Sequence, residues 1–187
     1  MATKKTIAII GAASNLGSTI AKELANGPYR LLLFAEDKKA LGSLSKQITI
    51  ANPSADIDCM GCAADASWEA DIIISTVSLN EEKETARKIE PFANRKILVS
   101  ISSKNKIDEP GIPGAIRATK KLQKLLPGAK AVKLFNASLP VDSEQVPVFI
   151  AGDDDEALQT VREILQIAGY EDVQLINLKT KHNEKTI

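Results

Sequence analysis

The feature that most constrains this chain is a seven-residue turn, Gly11-Ala12-Ala13-Ser14-Asn15-Leu16-Gly17, joining an apolar run to an amphipathic one. Ile7-Ala8-Ile9-Ile10 reads as a strand, because an unbroken apolar run bounded by glycine suits a strand covered on both faces. Leu16, Ile20, Ala21, Leu24 and Ala25 then recur at helical spacing over residues 15–26, and Gly27-Pro28 stops the helix. Strand, glycine-bracketed turn and helix form the setting in which a dinucleotide pyrophosphate is held. Gly11 lets the chain turn tightly off the strand. Gly17, without a Cβ, lets the helix pack close to the sheet. Between them the first amides of the helix point outward as anion donors. Ser14 suits the helix N-cap, and its hydroxyl is available to a phosphate. The spacing is G-x-x-S-x-x-G, without the middle glycine of G-x-G-x-x-G, so the context carries the reading. An ordinary ligand-free turn is the competing one.

The rest of the chain alternates in the same manner. Strands are expected at Leu31–Ala35, Asp56–Met60, Ile72–Ile74, Lys96–Ile101, Ala131–Phe135, Val146–Ala151 and Val173–Leu178. Helical faces are carried by Ala40, Leu41, Leu44 and Ile48, by residues 80–89, by Ala115 through Leu126, and by Ala157 through Ala168. Residues 102–113 read as a polar loop. Strands alternating with helices imply a parallel sheet with both faces covered. The expected fold is therefore α/β: a Rossmann-like, doubly wound, mostly parallel sheet in a single domain. The strand order begins 3-2-1-4-5-6, with the last strands at the far edge. The domain spans residues 1–178, followed by a polar tail at 179–187 that includes His182.

A second test of the dinucleotide reading lies after the second strand. A carboxylate that binds the adenosine ribose is expected about 20 residues past the glycines. Glu36 and Asp37 stand 19 and 20 residues after Gly17. Either would accept from the ribose hydroxyls and repel a 2′-phosphate, which favours NAD over NADP. Asp37 has a competing role as the cap of the next helix, so Glu36 is the stronger candidate. Lys38 and Lys39 follow and would soften the repulsion.

Composition removes other classes. Lys+Arg and Asp+Glu are 24 each, so bulk charge offers nothing to nucleic acid or an anionic membrane. Aromatic residues are 4% of the chain, too few for a base-stacking platform. No apolar stretch approaches the ~18 residues of a membrane span. Lys4-Lys5 before Ile7–Ala13 has the outline of a signal peptide, but Gly11 interrupts a very short apolar segment, and the expected compartment is the cytoplasm. One histidine and two cysteines argue against a metal site. Cys59 and Cys62 form a C-x-x-C, read as a buried strand cysteine plus a loop cysteine. Gly152-Asp153-Asp154-Asp155-Glu156 reads as a capping box with Asp153 as N-cap. Trp68 reads as a packing residue near the sheet edge. Neither tyrosine, Tyr29 or Tyr170, is followed four residues later by lysine, which removes the Tyr-x-x-x-Lys mechanism of short-chain dehydrogenases.

Three segments carry a resemblance. Gly11–Gly17 resembles the G-G-T-G-x-x-G loop of the deazaflavin (coenzyme F420)-dependent NADP oxidoreductase family. Val132-Lys133-Leu134-Phe135-Asn136 resembles its V-V-K-A-F-N strand, and Val146 through Ala157 its strand–G-D-D-x-E-A–helix. The cytoplasmic domain of the STEAP reductases is similar as well. The resemblance implies NADP, a hydride passed directly between nicotinamide and a flavin or deazaflavin, and no catalytic side chain. It also implies a nicotinamide subsite near Ser75, Thr76, Val77 and Ser78 and near Asn136-Ala137. The chain departs from the family pattern at Ala35-Glu36, where the family carries Ser-Arg for the 2′-phosphate, and at Ser78, where proline is usual. The helices that complete the family's deazaflavin site and dimer are not read before Ile187, which leaves a homodimer open.

The expected function is that of an oxidoreductase. It would bind NAD(P)H through Gly11, Ala12, Ala13, Ser14, Asn15, Leu16, Gly17, Glu36, Asp37, Ser75, Thr76, Val77 and Asn136. Hydride would pass to a flavin-like or small carbonyl acceptor. Two alternatives stay open: a non-catalytic dinucleotide-binding or redox-sensing module, and an atypical short-chain-dehydrogenase-like NAD(P)-binding protein.

Overall fold

In the computed structural model, residues 4–101, 112–135 and 147–179 are described. The elements run β1 (Lys5–Ile10), α1 (Asn15–Leu24), β2 (Tyr29–Phe34), α2 (Lys38–Ala51), β3 (Asp56–Cys59), α3 (Ala63–Glu69), β4 (Ile72–Ser75) and α4 (Leu79–Ile89). After a 3-10 turn at Glu90–Phe92 come β5 (Ile97–Ile101), α5 (Ile112–Leu125), β6 (Lys130–Phe135), β7 (Val148–Gly152), α6 (Asp155–Ile167) and β8 (Val173–Asn177). The strands form one sheet in the order β3-β2-β1-β4-β5-β6-β7-β8. All the pairings are parallel except β6 with β7. This is the doubly wound α/β architecture expected from the sequence, with the last two strands added at the far edge.

Alternate strand residues feed opposite faces. Ile7 and Ile9 of β1, Leu31 and Leu33 of β2, and Ile72 and Ile74 of β4 pack under α1, α2 and α6. Ala8 and Ile10, Leu32 and Phe34, and Ile73 pack under α3, α4 and α5. Both faces are dry, so the strands read as continuous apolar runs. The chain order reverses between β1 and β4, one leading towards β2 and the other towards β5. That divergence opens a crevice at the carboxyl ends of the two strands.

Four local expectations change. Helix α3, only seven residues long, lies where no helix was read, with Cys62 as its N-cap: the Cys62 thiol accepts from the Asp65 amide at 3.4 Å. Cys59 is exposed and not buried, because β3 is the edge strand and its last two residues face solvent. Trp68 is 69% exposed, touching Phe92 edge-on with centroids 6.1 Å apart. Asp154, not Asp153, caps α6, accepting from the Ala157 amide at 2.9 Å. Asn136, His182, Val146 and residues 102–104 lie outside the described residues.

Candidate functional site

The turn after β1 is built around Gly11, whose φ of +88° is costly for any residue with a Cβ. That conformation carries the chain across the end of β2, where the Gly11 and Ala12 amides both donate to Phe34 O at 2.9 Å. Ser14 is the N-cap of α1, and its hydroxyl accepts from the Gly17 amide at 3.0 Å. A Cβ on Gly17 would run into Gly11 O and lie 2.7 Å from Thr76 Oγ1 and 2.9 Å from Ser14 Oγ. Only glycine lets α1 start this close to the sheet. The amides of Asn15 and Leu16 fall in the first turn of α1, where no intrahelical acceptor exists. Free amides at the positive end of a helix are the arrangement that suits an anion.

Thr76 ties this turn to the next strand. Its amide donates to Ile10 O at 2.9 Å, and its hydroxyl reaches Gly11 O at 3.0 Å and Ile10 O at 3.2 Å. Ser14 Oγ donates to the same hydroxyl at 3.2 Å. The turns after β1 and β4 are thereby hydrogen-bonded into one unit.

A cleft of about 480 Å³ opens over this unit. One wall is Gly11, Ala13 and Ser14; a second is Phe34, Ala35, Glu36 and Asp37 after β2; the third is Thr76, Val77 and Ser78 with the α4 residues Glu81, Glu84, Thr85 and Lys88. Of the residues expected here, Gly11, Ala13, Ser14, Glu36, Asp37, Thr76 and Val77 line the cleft. Ala12, Leu16 and Gly17 are buried behind it, so their main chain is what they present. Asn15 opens α1 on the exposed side. Ser75 is buried, on a separate small cavity with Glu82 and Ser100. Asp37 spends one carboxylate oxygen on the α2 N-terminus, accepting from the Lys39 and Ala40 amides at 2.9 and 3.0 Å. Glu36, with 83% of its side chain exposed, keeps its carboxylate at the cleft mouth.

The α4 wall was not anticipated, although its signal is present. Glu81, Glu84, Thr85 and Lys88 are spaced i, i+3, i+4 and i+7, a polar stripe on a helix that follows the switch-point strand. The cleft is acidic. Glu36, Asp37, Glu81 and Glu84 line it against one ammonium, that of Lys88. Lys88 lies 3.0 Å from Glu84 and 3.9 Å from Glu36, and the hydrogen bond it donates to Glu84, with the neighbouring Glu36 charge, raises its pKa. The Ser78 hydroxyl at 2.6 Å and amide at 3.1 Å hold the Glu81 carboxyl below its ordinary range. Lys38 is engaged elsewhere: it donates to Gly61 O at 3.0 Å and lies 4.4 Å from the Phe34 ring centroid. Among the described residues no group of three or more His, Cys, Asp or Glu could hold a metal ion. No helix among them is long and apolar enough to cross a membrane.

A glycine-bracketed helix terminus at the switch point of a doubly wound sheet defines the class of Rossmann-like nucleotide-binding domains. Within that class, the chain belongs to the family described as NADP oxidoreductase, coenzyme F420-dependent, whose model matches residues 6–104. Solved structures agree on the fold. A protein from Arthrobacter sp. FB24, provisionally assigned as an F420-dependent NADP-reductase, is 23% identical with a TM-score of 0.67, over 91% of this chain and 84% of that one. An imine reductase from Myxococcus stipitatus, solved with NADP⁺, is 17% identical with a TM-score of 0.68, over 92% of this chain. A pyrroline-5-carboxylate reductase from Coxiella burnetii is 11% identical with a TM-score of 0.69, over 95% of this chain. The chain spans 55% of the imine reductase and 60% of the pyrroline-5-carboxylate reductase. No curated protein sequence matches the chain.

Proposed function

We propose that this protein is an NAD(P)-dependent oxidoreductase that binds the dinucleotide in the cleft between the β1 and β4 turns. Hydride would pass to a flavin, a deazaflavin or a small carbonyl compound. The observation that carries the reading is the cleft of about 480 Å³ at the switch point, bounded by the Gly11–Gly17 turn on one side and Glu36 on another. Its volume falls within the roughly 300–1,000 Å³ of small-molecule sites. The Asn15 and Leu16 amides would take the pyrophosphate, and Glu36 the adenosine ribose hydroxyls. When bound, the nicotinamide supplies the hydride chemistry, and the side chains need only bind, orient and exclude water. Membership of the F420-dependent family supports the same reading, as does the coenzyme seen in the similar imine reductase.

Within that reading we favour NAD(H). A 2′-phosphate would enter a cleft lined by Glu36, Asp37, Glu81 and Glu84, whose one ammonium is already paired with Glu84 at 3.0 Å. The family pattern favours NADP, so the two arguments meet at one measurement. Thermal unfolding is compared with NADH, NADPH, NAD⁺ and NADP⁺ at one common concentration; a ligand present at ~100 times its Kd stabilises by ~2.7 kcal/mol, roughly 5–11 °C at this size. A shift with NADH exceeding that with NADPH supports the reading, and the reverse overturns the NAD assignment. No shift with any of the four removes the oxidoreductase. A shift without oxidation of the reduced cofactor by any flavin, deazaflavin or carbonyl acceptor assigns a binding module instead.

A further inference from the structure

Helix α4 supplies one wall of the cleft, and few of its described side chains are buried. Among its described side chains only Ala86 and Ile89 are fully buried, 3% and 1% exposed, and both lie in its second half. The first half carries Glu81 and Glu84, which face the cleft. The buried stripe of the helix runs 82, 85, 86 and 89, and its first member is an acid.

That acid meets a buried lysine. Lys133, on β6, is 4% exposed, and its ammonium lies 2.5 Å from Glu82 Oε1 and 3.0 Å from Ser100 Oγ on β5. Ser100 donates to the same Glu82 oxygen at 2.5 Å. Ser75, Ser100 and Lys133 are in register across β4, β5 and β6 and form a polar row near the carboxyl edge of the sheet, above the apolar face. The pattern of that face would put apolar residues at these positions. Stability does not account for the charges, because well-packed apolar replacements of a buried ion pair are often neutral or stabilising. What the pair adds over an apolar contact is direction: three polar atoms within hydrogen-bond range allow one position of the helix.

We propose that Glu82 and Lys133, with Ser100, are positioning residues that fix the first half of α4, so that dinucleotide affinity depends on a pair that does not line the cleft. The inference rests on the reading of the cleft as a dinucleotide site. It places the determinants of that affinity on β5 and β6, two and three strands from the phosphate turn.

The test uses the full chain and three variants: Lys133→Met, Glu82→Gln and the double Glu82→Leu/Lys133→Met. Melting temperature, NADH affinity and amide hydrogen exchange across residues 79–89 are measured for each. The single variants are expected to melt lower. The double variant, with no unpaired charge, is expected to melt close to the parent, yet to bind NADH at least tenfold more weakly. Its exchange is expected to be faster at residues 79–85 and unchanged at 86–89. A double variant that recovers melting temperature, affinity within twofold and exchange protection together overturns the proposal. If the double variant does not fold, Lys133→Met decides, since it keeps the length of the side chain and removes the ammonium that holds Glu82: parental affinity and parental exchange at 79–85 overturn the proposal. If the parent binds no dinucleotide, the reading of the cleft fails, and the exchange measurement still decides whether the pair anchors α4.

Discussion

The hydroxyls of Ser14 and Thr76 lie 3.2 Å apart, joining the turn after β1 to the turn after β4 across 62 residues of sequence. Thr76 also serves Gly11 O and Ile10 O, so one side chain holds the glycine-bracketed turn on its strand. Thr76→Val keeps the shape and removes the oxygen. Leaving these groups without a partner is expected to cost about 1–3 kcal/mol, or roughly 2–4 °C of melting temperature per kcal/mol. Dinucleotide affinity should fall with it. Calorimetry beside a cofactor titration checks both, and an unchanged melting temperature would show that the joint carries no weight.

Two glycines inside helices predict opposite signs. A Cβ at Gly17 meets Thr76 Oγ1 at 2.7 Å and the Gly11 carbonyl, whereas one at Gly42 meets nothing within 4 Å. Gly17→Ala is expected to destabilise by about 1–3 kcal/mol through overpacking and to abolish cofactor binding. Gly42→Ala, within α2, is expected to stabilise by about 0.5–1 kcal/mol. Denaturant melts of the pair check the signs, and Gly42→Ala serves as the internal control.

Glu36 sets the cofactor preference under the NAD reading. Glu36→Ser removes the carboxylate at the cleft mouth and frees Lys88 from its 3.9 Å neighbour. The ratio of NADPH to NADH dissociation constants is expected to fall by about tenfold, equivalent to 1.4 kcal/mol. Fluorescence titration of both cofactors reads the ratio. A ratio that stays put would assign discrimination to the α4 carboxylates.

Tyr170 is 6% exposed, and its hydroxyl is buried without a partner among the described residues. Burial pushes its pKa from 10.0 up to about 12. The folded chain therefore keeps the proton to higher pH than the unfolded chain does. Between pH 10 and 12 the unfolded state binds fewer protons, so stability falls as pH rises through that window. Tyr170→Phe is expected to raise stability by about 1 kcal/mol at neutral pH by removing the unpaired hydroxyl. Its advantage should widen above pH 10. Urea melts at pH 7 and pH 10.5 test this, and a constant difference would remove the titration from the account.

Most of the fold was legible because both faces of the sheet are dry. Ile7–Ile10, Leu31–Phe34 and Ile72–Ile74 are apolar throughout, and glycine or proline closes most of the helices between them. The misses have separate causes. At seven residues, alanine-rich α3 is too short to show a period, and the exposure of Cys59 follows from β3 lying at the edge, which only the assembled sheet reveals. The one-residue shift from Asp153 to Asp154 reflects three consecutive aspartates, any of which suits a cap. In the site, the glycine-bracketed turn and its helix were readable as local geometry. The partnership of Glu82 with Lys133 was not, since 51 residues separate the two and neither is unusual alone.

The antiparallel step between β6 and β7 has a practical consequence. It turns the β7–α6–β8 unit over, so its strands finish at the sheet edge remote from the cleft, where Lys130 at the start of β6 meets Asp154 and Glu156. An immobilisation handle or fluorophore attached at the turn after β7 would project away from the cleft. The same chain could then be tethered to a surface while its cleft stayed open to solution.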